Sequence, residues 1–219
     1  MMRSKFRFNV IPTADTLFKG GYLTIMESRH EVYAQYNAKT IRVYQAYKPA
    51  IAQEAVRLQT FGENFSRTRM TWIKPSFLWM MYRCGWCEKK DQEMVLALDI
   101  RREIFDDLLR QAVLTHPAKD MDGTVWRQTL DISPVRVQWD PERKPDGTPI
   151  DRRAIQMGLK GTAVTQLLDG IERIEDMTPL VRRWNAQRKA GNLDRKELPS
   201  ELLYPVTDQA VRKQLAMDE

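Results

Sequence analysis

The chain has 219 residues, which suffices for one large domain or two small ones. Its hydrophobic content of 42% and its six Trp predict a real core and exclude a disordered chain. A formal net charge of +6 favours phosphate-rich partners, and nucleic acid, a dinucleotide and an acidic protein surface all fit it.

The sequence contains no apolar run of about 18 residues, so no membrane partner is expected. The basic start, Met1–Phe8, lacks the apolar stretch of a signal peptide. Two Cys cannot form a disulfide framework, which makes a reducing, cytoplasmic setting the expectation.

The first part of the chain predicts a hairpin followed by a helix. Residues 31–36 and 40–47 have the β-branched, aromatic and alternating pattern of two strands, and residues 37–39 form the turn. Pro49 then starts a helix over residues 50–60, because proline suits a first helical turn.

The segment Arg67–Trp86 is the most informative, since it holds three Trp and three Met among three Arg and one Lys. Met70–Ile73 predicts a strand, after which Lys74, Pro75 and Ser76 open a helix. A helix start carries free N–H groups and partial positive charge, so it can hold a phosphate, with Lys74 and Arg67 adding to the field. The alternative is a core helix whose Arg and Lys stems lie over aromatic rings.

The rest of the chain mixes strands and helices without a strict βαβ rhythm. This pattern predicts a single α+β domain with a mixed or antiparallel central sheet and flanking helices. The expected elements are the strand 94–98, the helix 101–114, the strand 135–139, an irregular loop 141–150, the strand 154–159 and the helices 161–174 and 178–190. We expect residues 1–28 to be an N-terminal extension, 29–198 the core domain, and 199–219 a strap ending in a short helix.

Two glutamines lie on otherwise apolar strands. Gln45 falls within Val43–Tyr47 and shares a strand face with Tyr47, while Gln138 falls within Val135–Trp139. Few polar groups among aromatic walls are typical of a ligand cleft, although a solvent-facing sheet edge would show the same pattern.

Other motifs have simpler interpretations. Cys84–Cys87 is a C-x-x-C sequence, but it falls at the end of a predicted helix, where the dipole does not lower a thiol pKa. A zinc site needs about four ligands, and the only further His or Cys residues are His30 and His116, so partly buried thiols and no metal are expected. Lys144–Gly147 matches the K-x-D-G box of nucleotidyl-transferring ligases, and also an ordinary turn.

Several blocks resemble domain-of-unknown-function family 4291 over nearly the whole chain. The blocks are Val43–Tyr47, Met70–Arg83, Val137–Glu142 and Ile155–Leu159, together with Arg29 and Tyr33. This resemblance implies a family and carries no activity with it.

A second resemblance is to the ADP-ribosyltransferase superfamily. It lies in the strand ending at Tyr44–Tyr47, in the following helix with Ile51–Ala55, and in the later run Glu93–Asp99. It implies that Arg42 or Gln45 takes the place of a first-strand His or Arg. The late Glu of that superfamily would fall near the candidate catalytic residues Gln138, Asp140 and Glu142.

The superfamily resemblance implies an enzyme that binds NAD and acts on a nucleic-acid or protein acceptor. Breaking the nicotinamide–ribose bond develops positive charge on the sugar, so a carboxylate or amide is needed beside it. Cations would hold the pyrophosphate, and aromatic rings would flank the bases. The candidate cofactor-binding residues are Arg42, Tyr44, Gln45, Tyr47, Arg67, Arg69, Trp72, Lys74 and Ser76.

Two other classes of function fit the same residues. A non-catalytic module for single-stranded nucleic acid would stack its aromatics on bases and place Arg and Lys on the backbone. In a structural or partner-binding protein the aromatics would be core. The shared polarity of these residues within apolar segments makes a geometric prediction, that one cleft is shared by Gln45, Gln138, Arg67, Arg69, Lys74 and Ser76.

Overall fold

The structure, a computed structural model, describes residues 30–117 and 122–218 and the backbone of strands β1 (Phe18–Lys19) and β2 (Tyr22–Leu23). Most of the predicted N-terminal extension lies outside the described residues. Two further short strands, β3 (Tyr33–Ala34) and β11 (Leu202–Leu203), pair with each other.

An antiparallel sheet of three strands forms the centre of the fold. Its strands are β4 (Thr40–Tyr47), β6 (Met94–Arg101) and β10 (Ile171–Asp176), in the order β10-β6-β4. β6 alternates between the two faces, so that Leu96 and Leu98 enter one core and Val95 enters another.

A second sheet has four strands in the order β5-β9-β8-β7. They are β5 (Thr71–Ile73), β7 (Ala112–Leu114), β8 (Val135–Arg143) and β9 (Pro149–Leu159). β7 pairs with β8 in parallel and the other pairs are antiparallel, so this sheet is mixed.

The helices cover both faces of the three-stranded sheet. They are α1 (Pro49–Leu58), α2 (Phe77–Cys84), α3 (Arg102–Arg110), α4 (Gly123–Ile132), α5 (Thr162–Gly170), α6 (Thr178–Lys189) and α7 (Gln209–Gln214), with a 3₁₀ turn at Arg195–Glu197. α2 and α6 supply the core on one face, and α1, α3, α5 and the second sheet supply the core on the other. The predicted α+β class is confirmed. Within the described part of the chain, no helix has the length and hydropathy to span a membrane.

One backbone pair joins the two sheets. The Tyr44 N–H donates to the Lys74 carbonyl over 2.7 Å, and the Lys74 N–H donates to the Tyr44 carbonyl over 3.2 Å. Lys74 directly follows β5, so this antiparallel bridge sets β4 beside β5. A cleft opens at this junction.

Two predicted helices were wrong in the same way. The predicted helix 101–114 ends at Arg110 and continues as β7, which pairs with β8. The predicted helix 161–174 stops at Gly170 and continues as β10, which pairs with β6. Each strand is stabilised by a partner distant in sequence, which local periodicity cannot reveal.

Half of the predicted irregular loop 141–150 is strand. β8 extends to Arg143 and β9 begins at Pro149, leaving a short turn between them. Pro141 is tolerated because β7 pairs only with residues 135–137, so the missing N–H of Pro141 faces no neighbour there.

The C-terminal residues form the predicted strap and short helix. β11 pairs with β3, and the buried side chains of Tyr204, Val211 and Leu215 join the larger core. The strap thus contributes side chains to the core and a strand, β11, that pairs with β3.

Arg42 is a candidate cofactor ligand that the fold uses for itself. Its guanidinium donates to both carboxylate oxygens of Asp99, at 2.7 and 2.8 Å, and lies 3.1 Å from Glu175. Arg42 and Asp99 are direct partners in the β4–β6 register, so their ion pair links two adjacent strands. Its pKa is raised by this hydrogen-bonded carboxylate.

Arg42→Gln should therefore destabilise the fold. It removes the bidentate hydrogen bonds and leaves Asp99 and Glu175 without their shared cation. The side chain is 19% exposed, so we expect the free energy of unfolding in urea to fall by about 1–3 kcal/mol. Arg173→Gln is the matched control, because Arg173 also meets Glu175 but is 61% exposed, and it should cost less than about 0.5 kcal/mol. An equal decrease in the free energy of unfolding in the two variants would contradict the idea that Arg42 stabilises the pairing of β4 with β6.

Candidate functional site

A cleft of about 360 Å³ lies where the two sheets meet. Its walls come from the end of β4, the residues around β5, one face of α2, the segment before β6 and the middle of β9. The residues are Gln45, Ala46, Tyr47, Met70, Trp72, Lys74, Met80, Arg83, Gln92 and Gln156. Two are cations and none is a carboxylate, so the lining favours an anionic ligand.

Lys74 is the least ordinary residue of the cleft. Its side chain lines the cleft but only 4% of the residue is exposed, and its ammonium has no hydrogen bond or ion pair within the described residues. Burial lowers the pKa of Lys74 to about 8, with Arg83 acting in the same direction and Asp140 opposing it. Burying a cation without a partner costs free energy of folding, so the Lys74 ammonium lowers the stability of the protein.

Gln45 presents an unused acceptor. Its Nε2 donates to Thr71 Oγ1 over 2.7 Å and to the Trp72 carbonyl over 3.3 Å. A backbone carbonyl can only accept, which fixes the orientation of the amide. The opposite atom, Gln45 Oε1, is buried and has no hydrogen-bond partner. Thr71 Oγ1 is also 2.7 Å from the Tyr47 hydroxyl, so these side chains form one network.

A second amide is oriented by a carboxylate behind it. Gln138 and Gln156 are direct partners in the β8–β9 register and lie on the same face of the sheet. Asp140 accepts from Gln138 Nε2 at 2.9 Å and from Gln156 Nε2 at 2.6 Å. An ionised carboxylate only accepts, so the Gln156 oxygen is the atom left without a partner within the described residues. Gln138 and Asp140 therefore do not line the cleft themselves. They are connected to it by the hydrogen bond from Gln156 to Asp140.

Trp72 forms a wall of the cleft because Gly158 lies opposite it. The two residues pair across β5 and β9. A Cβ on Gly158 would lie 2.8 Å from a carbon of the Trp72 indole and 2.8 Å from Met70 Sδ. Only glycine allows both side chains to lie directly on the strand.

The start of α2 is not an open phosphate site. Ser76 caps the helix by accepting from the Trp79 N–H at 3.2 Å. Glu201, from the C-terminal strap, accepts from the Phe77 N–H at 2.6 Å. A carboxyl group of the chain itself thus occupies the place predicted for an external anion. Burial raises the pKa of Glu201 to about 8. Ser76 is buried and does not line the cleft.

Two further candidates have structural contacts instead. Tyr44 is fully buried, and its hydroxyl donates to Gln35 Oε1 over 3.0 Å. It points to the α2 face because strand alternation puts it opposite Gln45. Glu142 is buried and lies 3.6 Å from the Arg152 guanidinium. Neither residue lines the cleft.

Arg67 and Arg69 are exposed in the loop that leads to Met70. They are absent from the cleft lining, although Met70 is part of it. The predicted common site is therefore smaller than expected. Of its six residues, Gln45 and Lys74 line the cleft and Gln138 contacts it through Asp140.

The sequence interpretation overlooked Arg83 and Gln156 as site residues. Arg83 is one turn from Met80 on α2, so helical spacing places both on the cleft side. Gln156 stands between apolar neighbours on a strand, the same signal that singled out Gln45. Applying that criterion to β9 would have found it.

Cys84 and Cys87 lie at the end of α2, as predicted, and both are buried. The hydrogen bond with the Cys84 thiol, together with burial, raises the pKa of Cys87. The absence of a redox role stays a prediction. Lys144–Gly147 is the turn between β8 and β9, in which the Gly147 N–H donates to the Lys144 carbonyl.

The comparisons with known proteins agree with the first resemblance. The sequence model of DUF4291, a domain of unknown function, matches residues 31–204. No curated protein matches the chain. The match covers all of the residues that line the cleft.

Lys74→Met should stabilise the protein at neutral pH. A lysine pKa lowered to about 8 means that the folded state binds this proton less readily than the unfolded state does. The cost is complete below pH 8, shrinks as the pH rises toward the ordinary value of about 10.4, and is absent above it. We expect a gain of about 1–3 kcal/mol in the free energy of unfolding at pH 7, which disappears by about pH 10.5.

Urea denaturation across this pH range measures the gain. The exposed Lys90→Met is the control and should change stability by less than about 0.5 kcal/mol at every pH. A Lys74→Met protein less stable than the parent at pH 7 would contradict the idea that the ammonium is held at a cost.

Gly158→Ala should displace the Trp72 wall. The new methyl group would overlap the indole and Met70 Sδ, so we expect a loss of about 1–3 kcal/mol and an altered tryptophan fluorescence spectrum. Gly123→Ala is the control, since no atom lies within 4 Å of its added Cβ. An unchanged spectrum in Gly158→Ala would show that the wall does not depend on this glycine.

Proposed function

We propose that this chain, which belongs to the family DUF4291, binds a phosphate-bearing nucleotide in the cleft at the sheet junction. One observation carries the proposal: the buried Lys74 ammonium lines the cleft and has no partner within the described residues. A phosphate oxygen would supply the charge-assisted hydrogen bond that the ammonium lacks. Arg83 lines the same cleft, and the only hydrogen bond of its guanidinium within the described residues is to Gln92, at 3.3 Å.

The uncharged part of the lining suits a nucleoside. The unpartnered amide oxygens of Gln45 and Gln156 can accept from ribose hydroxyls. Trp72 and Tyr47 provide aromatic surface for a base. A volume of about 360 Å³ is at the lower end of the roughly 300–1,000 Å³ of small-molecule sites, which suits one nucleotide unit with the rest of a larger ligand outside.

NAD is the ligand that would use every part of this lining, in an ADP-ribosyltransferase-like reaction. The bond between ribose and nicotinamide breaks, nicotinamide leaves with the electron pair, and the sugar becomes positive. The Gln156 oxygen, oriented by Asp140, would face that charge, while Lys74 and Arg83 would hold the pyrophosphate. Gln138 and Asp140 become positioning residues in this arrangement. The acceptor is a nucleophile of a nucleic acid or a protein.

Nucleotide binding makes a direct prediction for Lys74. Lys74→Ala should weaken the binding of AMP and NAD tenfold to a hundredfold, because a hydrogen bond to a charged group contributes about 1.5–3 kcal/mol. Isothermal calorimetry at pH 7 measures this affinity. Arg67→Ala is the matched control, since it removes a nearby exposed cation that does not line the cleft, and it should leave the affinity within about twofold.

Unchanged affinity for both nucleotides in Lys74→Ala would remove Lys74 from the site. The transferase chemistry has its own readout, the release of nicotinamide from NAD, which Asp140→Asn should slow while NAD still binds. Binding without release would leave a nucleotide-binding protein. Tight binding of a short RNA that Arg67→Ala weakens and Lys74→Ala does not would favour the nucleic-acid module instead.

A further inference from the structure

Lys74 also has the features of an amine nucleophile. The side chain is almost fully buried, its nitrogen has no partner within the described residues, and it lines an open cleft walled partly by Met70, Trp72 and Met80. Desolvation and a neighbouring cation are the two devices by which proteins keep a lysine amine unprotonated and reactive. Arg83 lines the same cleft and supplies the second device.

We infer that Lys74 is a covalent capture site, whose Nζ forms an imine with a small carbonyl compound that carries a phosphate group. This inference goes beyond the proposed nucleotide binding, because it needs neither a base nor a ribose. Arg83 would hold the phosphate, and Nζ would meet the carbonyl carbon.

The backbone holds the amine in place for such a reaction. Lys74 is fixed by its two hydrogen bonds to Tyr44 and is followed by Pro75, which restricts the chain further. Gln45 lines the same cleft, and its buried Oε1 has no partner within the described residues, so this oxygen would accept from the hydroxyl that forms when the amine adds to a carbonyl. Asp140 favours the positive charge of a protonated imine, since it already favours charge on Lys74.

The chemistry balances without an oxidant or reductant. The nitrogen lone pair forms a bond to the carbonyl carbon, and a proton moves from nitrogen to the former carbonyl oxygen through solvent in the open cleft. The hydroxyl then takes up the second proton of the nitrogen and leaves as water, while the carbon–nitrogen double bond forms. Hydrolysis reverses each step, so the capture is reversible until a hydride donor reduces the imine to a secondary amine.

Pyridoxal 5′-phosphate is a suitable probe, because it joins an aldehyde, a planar ring and a phosphate. The full chain is treated at pH 7 with less than one equivalent of the probe, reduced with borohydride, digested, and mapped by mass spectrometry. Burial lowers the pKa of Lys74 to about 8, so its neutral fraction exceeds that of an ordinary lysine by roughly a hundredfold. We expect Lys74 to be labelled at least tenfold faster than the exposed Lys90, which is an internal control in the same digest.

Two variants test the parts of the site. Lys74→Arg keeps a cation but removes the nucleophile, and it should abolish the fast labelling while Lys90 still reacts. Arg83→Gln should slow the capture of pyridoxal 5′-phosphate about tenfold more than the capture of pyridoxal, which has no phosphate and loses only the effect of Arg83 on the Lys74 amine. Lys90→Arg is the matched control for the loss of one lysine.

The inference is overturned if Lys74 in the parent protein is labelled no faster than Lys90. The assignment of the phosphate to Arg83 is overturned if Arg83→Gln slows both probes equally. Fast labelling of Lys74 that a saturating concentration of AMP does not slow would contradict nucleotide binding in the cleft while supporting the capture site, so the two proposals fail separately.

Discussion

The two backbone hydrogen bonds between Tyr44 and Lys74 are the constraint on which the candidate site depends. They join a three-stranded and a four-stranded sheet through the residue that directly follows β5. The backbone of Lys74 is fixed by this pairing and by the proline that follows it. Its side chain is buried at the junction and lines the cleft there.

The cleft concentrates polar groups that folding leaves unsatisfied. Buried polar atoms usually have a partner, and each exception requires an explanation. Here Gln45 Oε1 is such an atom, and Lys74 and Gln156 line the same cavity as Gln45. Two acceptors and two cations in one lining describe a ligand with hydroxyl groups and negative charge. The same arrangement leaves an amine that a carbonyl compound can reach.

The fold also keeps other charges away from this cleft. Glu201 accepts a hydrogen bond at the start of α2, Arg42 is paired with Asp99, and Arg152 is paired with Glu142. Arg42 and Glu142 are candidate site residues in the sequence, where these pairings are not visible. Their pairing explains why the lining contains no carboxylate of its own, even though Asp140 stands just behind Gln156.

The sequence by itself determined the α+β class, the strand over residues 40–47, the helix start at Pro49, and the polar strand positions that mark the cleft, because these follow from local alternation, proline geometry and side-chain chemistry. It also singled out Lys74, Gln45 and Trp72, since polar and aromatic residues in apolar surroundings are visible without coordinates. Only the tertiary structure decided that residues 112–114 and 171–176 are strands, that Glu201 rather than a ligand meets α2, and that Gln156 rather than Gln138 lines the cleft. Those outcomes depend on which distant segments pair and which side chain accepts from a buried backbone N–H, as Glu201 does from Phe77. Such long-range partners are chosen by the packing of the whole chain, and local patterns do not encode them.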